Sequence, residues 1–235
     1  MLIDFVLLWY VLFIMWLFAF FFLPCILVLY FINHANRNKI YSVLLGLGCG
    51  AAYVVFAILF GSEYRVISVI FFKNFSWLFL QETFLPAVII TIVFFFLFKD
   101  SFQFKVNMLF LVLAGFYTLY IPFRILFRSG AFTAFTLFFK PILLACFVLG
   151  FSFAIRLFYK NLKGQKVVIL FVLPVFLGLG CTVAPAIAEV FWYAGSSAIL
   201  WLLIGMLEIL FAVVLLALNH VNITNIKKAS ETFSK

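Results

Sequence analysis

One acid, Glu208, stands near the middle of the apolar stretch SSAILWLLIGMLEILFAVVLLALN, residues 196–219. A carboxylate facing lipid at the bilayer midplane costs about 3 kcal/mol or more, so it faces other helices, finds a partner or takes a proton. Helical spacing puts Ala198, Trp201, Gly205 and Ala212 on the stripe of Glu208, and such small residues let helices approach closely. Lys140, in FFKPILLACFVLG, is the candidate partner. It lies roughly ten residues from the outer start of its apolar segment, against roughly twelve for Glu208, or about 15 and 18 Å along a helix. If that segment protrudes, Lys140 is closer in depth to Glu189. A buried carboxyl of this kind can hold an ion pair, carry a proton or bind a cationic group.

A second pattern lies in VVILFVLPVFLGLGCTVAPAIAEVFWYAG. There Pro174, Gly178, Thr182, Pro185 and Glu189 recur at helical spacing and share one face. Pro185 removes the usual helical donor to the Cys181 carbonyl, and Pro174 does the same for Leu170. Loosened backbone is tolerated inside a membrane where it packs on protein or lines a cavity, so this face is expected to look inward. Gly178, Gly180, Ala184, Ala186 and Ala188 also suit plain helix packing. Glu208, Lys140, Glu189 and Thr182 together make the candidate intramembrane polar site.

Other chemistries find little footing. The chain has no G-x-S-x-G, no H-E-x-x-H and no GxxxxGK[ST], and its two aspartates, Asp4 and Asp100, fall at opposite membrane borders. Its two histidines, His34 and His220, lie at the ends of apolar segments and not within them, so neither a metal nor a haem is expected. The four cysteines, Cys25, Cys49, Cys146 and Cys181, form no CxxC pair and read as small apolar side chains. No catalytic residue and no cofactor are expected, and the residues weigh against an enzyme.

The elements that hold these groups follow from composition. Of 235 residues, 69% are apolar and only 10% charged, where a water-soluble domain is nearer half apolar and a quarter charged. The chain reads as an all-α, polytopic transmembrane bundle forming a single integral membrane domain over residues 1–235. About seven apolar segments have the length needed to span hydrocarbon about 30 Å thick. They run over 5–31, 40–60, 84–98, 106–123, 131–159, 167–192 and 196–218, with the first expected to be retained and not cleaved. Segment 62–82 is too polar to span and rich in Phe, Ile and Trp, which suits an interfacial or re-entrant element with Trp77 at head-group depth.

With the N-terminus outside and the C-terminus in the cytoplasm, eleven of the sixteen Lys and Arg fall in the cytoplasm, as the positive-inside bias requires. A bacterial cytoplasmic (inner) membrane is the expected location. The net charge of +9 then reads as topology plus contact with anionic lipids at the cytoplasmic face, with no nucleic acid as partner. Two functions fit. One is a transport or substrate-binding component with a mostly apolar intramembrane cavity. The other is a non-catalytic structural or assembly subunit that packs against other membrane subunits of a larger complex, which the 37 Phe and the scarcity of polar groups favour. A lipid-active membrane enzyme is a third, less supported reading.

Overall fold

The computed structural model describes residues 9, 10, 13, 37–60, 71–97, 101–128, 133, 135–163 and 168–233. The helices are α1 (Arg37–Phe60), α2 (Phe71–Leu78), α3 (Leu85–Leu97), α4 (Phe102–Arg128), α5 (Lys140–Lys163), α6 (Val168–Tyr193) and α7 (Ala198–Phe233). Short π-helical segments, Phe79–Phe84 and Phe135–Phe139, lead into α3 and α5. Six helices among the described residues are long and apolar enough to cross a membrane, the architecture of an integral membrane protein. The expected first span, 5–31, lies almost wholly outside the described residues, so a count of seven goes beyond what they show.

The largest difference from the sequence reading concerns segment 62–82. Residues 61–70 lie outside the described residues, but Phe71–Leu97 forms one helical run, and residues 71–82 join the span as its first turns. Of the polar residues in that segment, Asn74 and Glu82 turn into protein, at 7% and 3% exposed, while Lys73 and Ser76 stay exposed. The π segment makes this possible, because a widened turn rotates the flanking helix faces relative to each other. α5 begins at Lys140, nine residues later than the expected Ala131, with a π turn ahead of it.

Contacts divide the chain into two compact units, 1–66 with 87–145 and 67–86 with 146–235. In the first, α4 is the buried helix, and α1 crosses it through glycine. A Cβ at Gly46 would run into the backbone of Val112, and one at Gly115 would come within 2.5 Å of the Val43 carbonyl oxygen. Tyr53 of α1 then packs edge-on against Phe116 and Tyr120 of α4. Lys105 donates to the Phe95 carbonyl at 2.6 Å and lies over the Phe95 ring, which ties the start of α4 to α3.

The second unit holds α2, the first π segment, the part of α5 from Cys146 onward, α6 and α7. A tight turn joins α6 to α7. Ser196 N–H donates to Phe191 O and Gly195 N–H to Trp192 O, both at 3.1 Å, the two bonds of a Schellman motif. Gly195 takes the left-handed conformation this cap needs, with φ of 64°. So short a turn makes α6 and α7 antiparallel neighbours. Their core is Leu177, Cys181, Ala212 and Leu215, closed by Phe153, Ala154 and Leu157 of α5. Leu78 of α2 packs on Ala186 and Val190 near the other end of α6, flanked by Phe75 and Phe79.

Candidate intramembrane site

α7 shows why its acid is where it is. Gly205, Glu208, Ala212, Leu215 and Asn219 are buried, at alternating spacings of three and four, while Leu203, Met206, Leu207, Leu210 and Val213 are exposed. One narrow stripe faces the protein and the rest of the helix is a lipid-type surface. Glu208 is in the stripe and is 0% exposed, so the expectation that it faces the bundle holds. It sits ten residues after Ala198, about 15 Å into the helix.

The whole expected face of α6 is buried as well: Pro174, Gly178, Thr182, Pro185 and Glu189 all face protein, while Val172, Val175, Phe176 and Leu179 do not. Antiparallel pairing with α7 places Cys181 and Thr182, some 16 to 18 Å from the shared turn, level with Glu208. Cys181 confirms the level. Its Sγ lies 3.9 Å from the Glu208 backbone carbonyl, at the outer limit for a thiol donor. Cys146, one turn before Gly150 on α5, is within electrostatic reach of the Glu208 carboxyl, as is Cys181.

Neither Glu208 oxygen has a hydrogen-bond partner among the described residues, so the expected hydrogen-bonded partner, Lys140 or a neighbouring helix, is not found there. Thr182 cannot supply its proton, because its hydroxyl already donates to Gly178 O at 2.7 Å in its own helix. Glu189 lies only four residues from the end of α6, about 6 Å from the turn, and therefore well away in depth from Glu208. It is 2% exposed and has an interaction of its own. Lys140 opens α5, is 5% exposed, likewise has an interaction of its own and belongs to the other compact unit. Within the second unit, Thr182 is the member of the expected quartet that lies level with Glu208.

Sequence reasoning missed two partners. Cys146 and Cys181 read as small apolar residues, yet both thiols lie within electrostatic reach of the acid; nothing in a lone Cys in an apolar helix announces that. Asn219 was legible: it continues the spacing of the Glu208 stripe, and its amide donates to Phe153 O at 3.2 Å and Leu215 O at 3.1 Å, locking α7 to α5. No group of three or more His, Cys, Asp and Glu among the described residues is arranged to hold a metal ion. No protein-family model, curated protein or solved structure matches the chain.

Proposed function

We propose that this chain is an integral membrane transport or substrate-binding component in which Glu208 binds a cationic group or carries a proton. One observation carries the reading: a carboxyl fully buried in a membrane-length helix, with neither oxygen hydrogen-bonded among the described residues. An ionisable group held in that way costs stability without a structural return, and within membrane helices such groups mark sites of function. The thiols beside it add no fixed charge, which leaves the carboxyl free to exchange a proton for a cation. A bacterial inner membrane, with the N-terminus outside and anionic lipid at the cytoplasmic face, is the setting that the loop charges support.

The test is flux. Purified protein is reconstituted into vesicles loaded with a pH-sensitive dye, and organic and inorganic cations are added outside. Wild type is expected to couple proton release to uptake of at least one cation, and Glu208→Gln to fold and insert but stay silent. Equal behaviour of the two proteins, whether active or silent, ends this reading.

A second reading, a non-catalytic assembly subunit, is favoured by the way glycine sites in the second unit are filled. Cys181 occupies the space beside Gly150, Ala154 that beside Gly178, and the Phe211 ring that beside Gly180, each within 2.6 Å of where a Cβ would lie. Close packing of this kind serves a scaffold as well as a transporter. It predicts that a defined membrane subunit copurifies in mild detergent and that Glu208→Gln leaves the assembly intact.

A further inference from the structure

Hydroxyls in the helices of this protein are usually satisfied at home. Thr83, Thr91, Thr118 and Thr182 each donate to the carbonyl four residues earlier, at 2.6 to 2.9 Å. Ser152 on α5 does not. It is 2% exposed, and its Oγ has no partner among the described residues. Four residues on, the Nε of Arg156 is buried and unpartnered, and four further on so is the Nζ of Lys160. The spacing stacks the three on one side of the helix, from the middle of the span Lys140–Leu162 to its last turn.

These groups share one property: all can donate and the two cations can only donate. The two positive charges lie within electrostatic reach of each other. Like charges four residues apart on a helix repel, and a buried donor nitrogen without an acceptor adds a further cost at each residue. Lysine and arginine near a span end normally escape by extending to the water interface, but here the inner guanidinium nitrogen and the ammonium are themselves buried. What the stripe lacks is an anion with several acceptor oxygens. Phosphate answers that description, since guanidinium and ammonium both bind it through charge-assisted hydrogen bonds and a serine hydroxyl adds a neutral one.

We infer that Ser152, Arg156 and Lys160 form a phosphate-binding stripe at the end of α5, filled by the phosphate of an anionic lipid head group or by free phosphate. The site shares no residue with Glu208, so it stands or falls independently of the transport reading. Arg156 and Lys160, about 10 and 5 Å from Lys163, lie near the depth at which a lipid phosphate meets a helix end, and Ser152, about 16 Å from Lys163, forms the inner end of the stripe.

The experiment is native mass spectrometry of the purified full chain in uncharged detergent, titrated separately with phosphatidylglycerol, diacylglycerol and inorganic phosphate. Phosphatidylglycerol is expected to bind at least about ten-fold more tightly than diacylglycerol, which has the same tails without the phosphate. Arg156→Gln/Lys160→Gln should lose that preference, Arg156→Lys should keep most of it, and Ser152→Ala should weaken it several-fold. Lys227→Gln/Lys228→Gln removes the same net charge elsewhere and should keep it. Binding of inorganic phosphate alone identifies free phosphate as the occupant; binding of the lipid alone identifies the head group. Wild type that responds to neither probe overturns the site, and so does an equal loss in the two double variants. Should Arg156→Gln/Lys160→Gln fail to fold, Ser152→Ala decides: binding unchanged from wild type overturns the site.

Discussion

The side chain of Cys181 lies in the space that a side chain at Gly150 would need, its Cβ and Sγ each 2.5 Å from the position of a Gly150 Cβ. Two helices of the second unit therefore meet through a missing methyl group and a thiol, one turn from the Cys146 that also neighbours Glu208. Gly150→Ala should destabilise the protein by about 1 to 3 kcal/mol, the usual cost of forcing an atom into a packed interior. Cys181→Gly in the same chain should recover part of that loss, because the thiol is what the new methyl meets. Thermal melting of the single and double variants in detergent measures the coupling; strictly additive effects would disprove the contact.

Gly46 poses the same question with a harder answer. The atoms that its Cβ would meet belong to the Val112 carbonyl, with Phe116 N at 3.0 Å, and a backbone cannot change rotamer. Gly46→Ala should therefore lower stability more than Gly150→Ala, toward 3 kcal/mol or beyond, by spreading α1 from α4. The same melting assay ranks the two. A smaller loss at Gly46 would mean that the α1–α4 crossing relaxes freely.

Where residue type and period agree, the architecture was legible in the chain. The α6 face from Pro174 to Glu189 is buried as its spacing predicts, and so are Gly205, Glu208 and Ala212 of the expected α7 stripe, though Ala198 at its start is exposed and Trp201 half-buried; in so apolar a helix the small and polar residues are the ones that avoid lipid. The described part of segment 62–82 misled for the same reason in reverse. Segment 62–82 reads as too polar to span, yet its Asn74 and Glu82 are buried in protein while Lys73 and Ser76 are exposed, and sequence polarity alone does not distinguish a head-group environment from a protein interior. The groups around Glu208 were illegible because they come from distant segments: matching depths on two helices suggested Lys140, while Cys146 and Cys181 are the groups that lie within electrostatic reach of the acid.

Orientation is a separate prediction. α7 runs for 36 residues, about 54 Å, and so continues past the apolar span that ends at Asn219. Lys228 lies on that continuation, and the positive-inside bias predicts a cytoplasmic position for it. A single-cysteine reporter, Lys228→Cys in a chain lacking the four native cysteines, should resist a membrane-impermeant maleimide in intact cells and label after lysis. Labelling in intact cells would invert the topology and with it the side on which the α5 phosphate stripe lies.

The strongest prediction separates what Glu208 does for the fold from what it does for the membrane. A buried polar group without a partner opposes folding, and an apolar residue of similar size removes that cost. Glu208→Leu should therefore leave the protein as stable as wild type or more stable by about 1 to 3 kcal/mol, with no change in its oligomeric profile in detergent. Glu208→Gln, which keeps the shape and the polarity, should stay near wild type. Both variants should lose the cation-coupled proton release proposed above. A protein kept less stable than a one-residue neighbour retains that residue for a reason other than the fold, and an acid in a membrane helix supplies the reason in its proton. If Glu208→Leu melts well below wild type, the carboxyl is instead a structural member of the α5–α6–α7 contact, and the functional assignment of Glu208 fails with it.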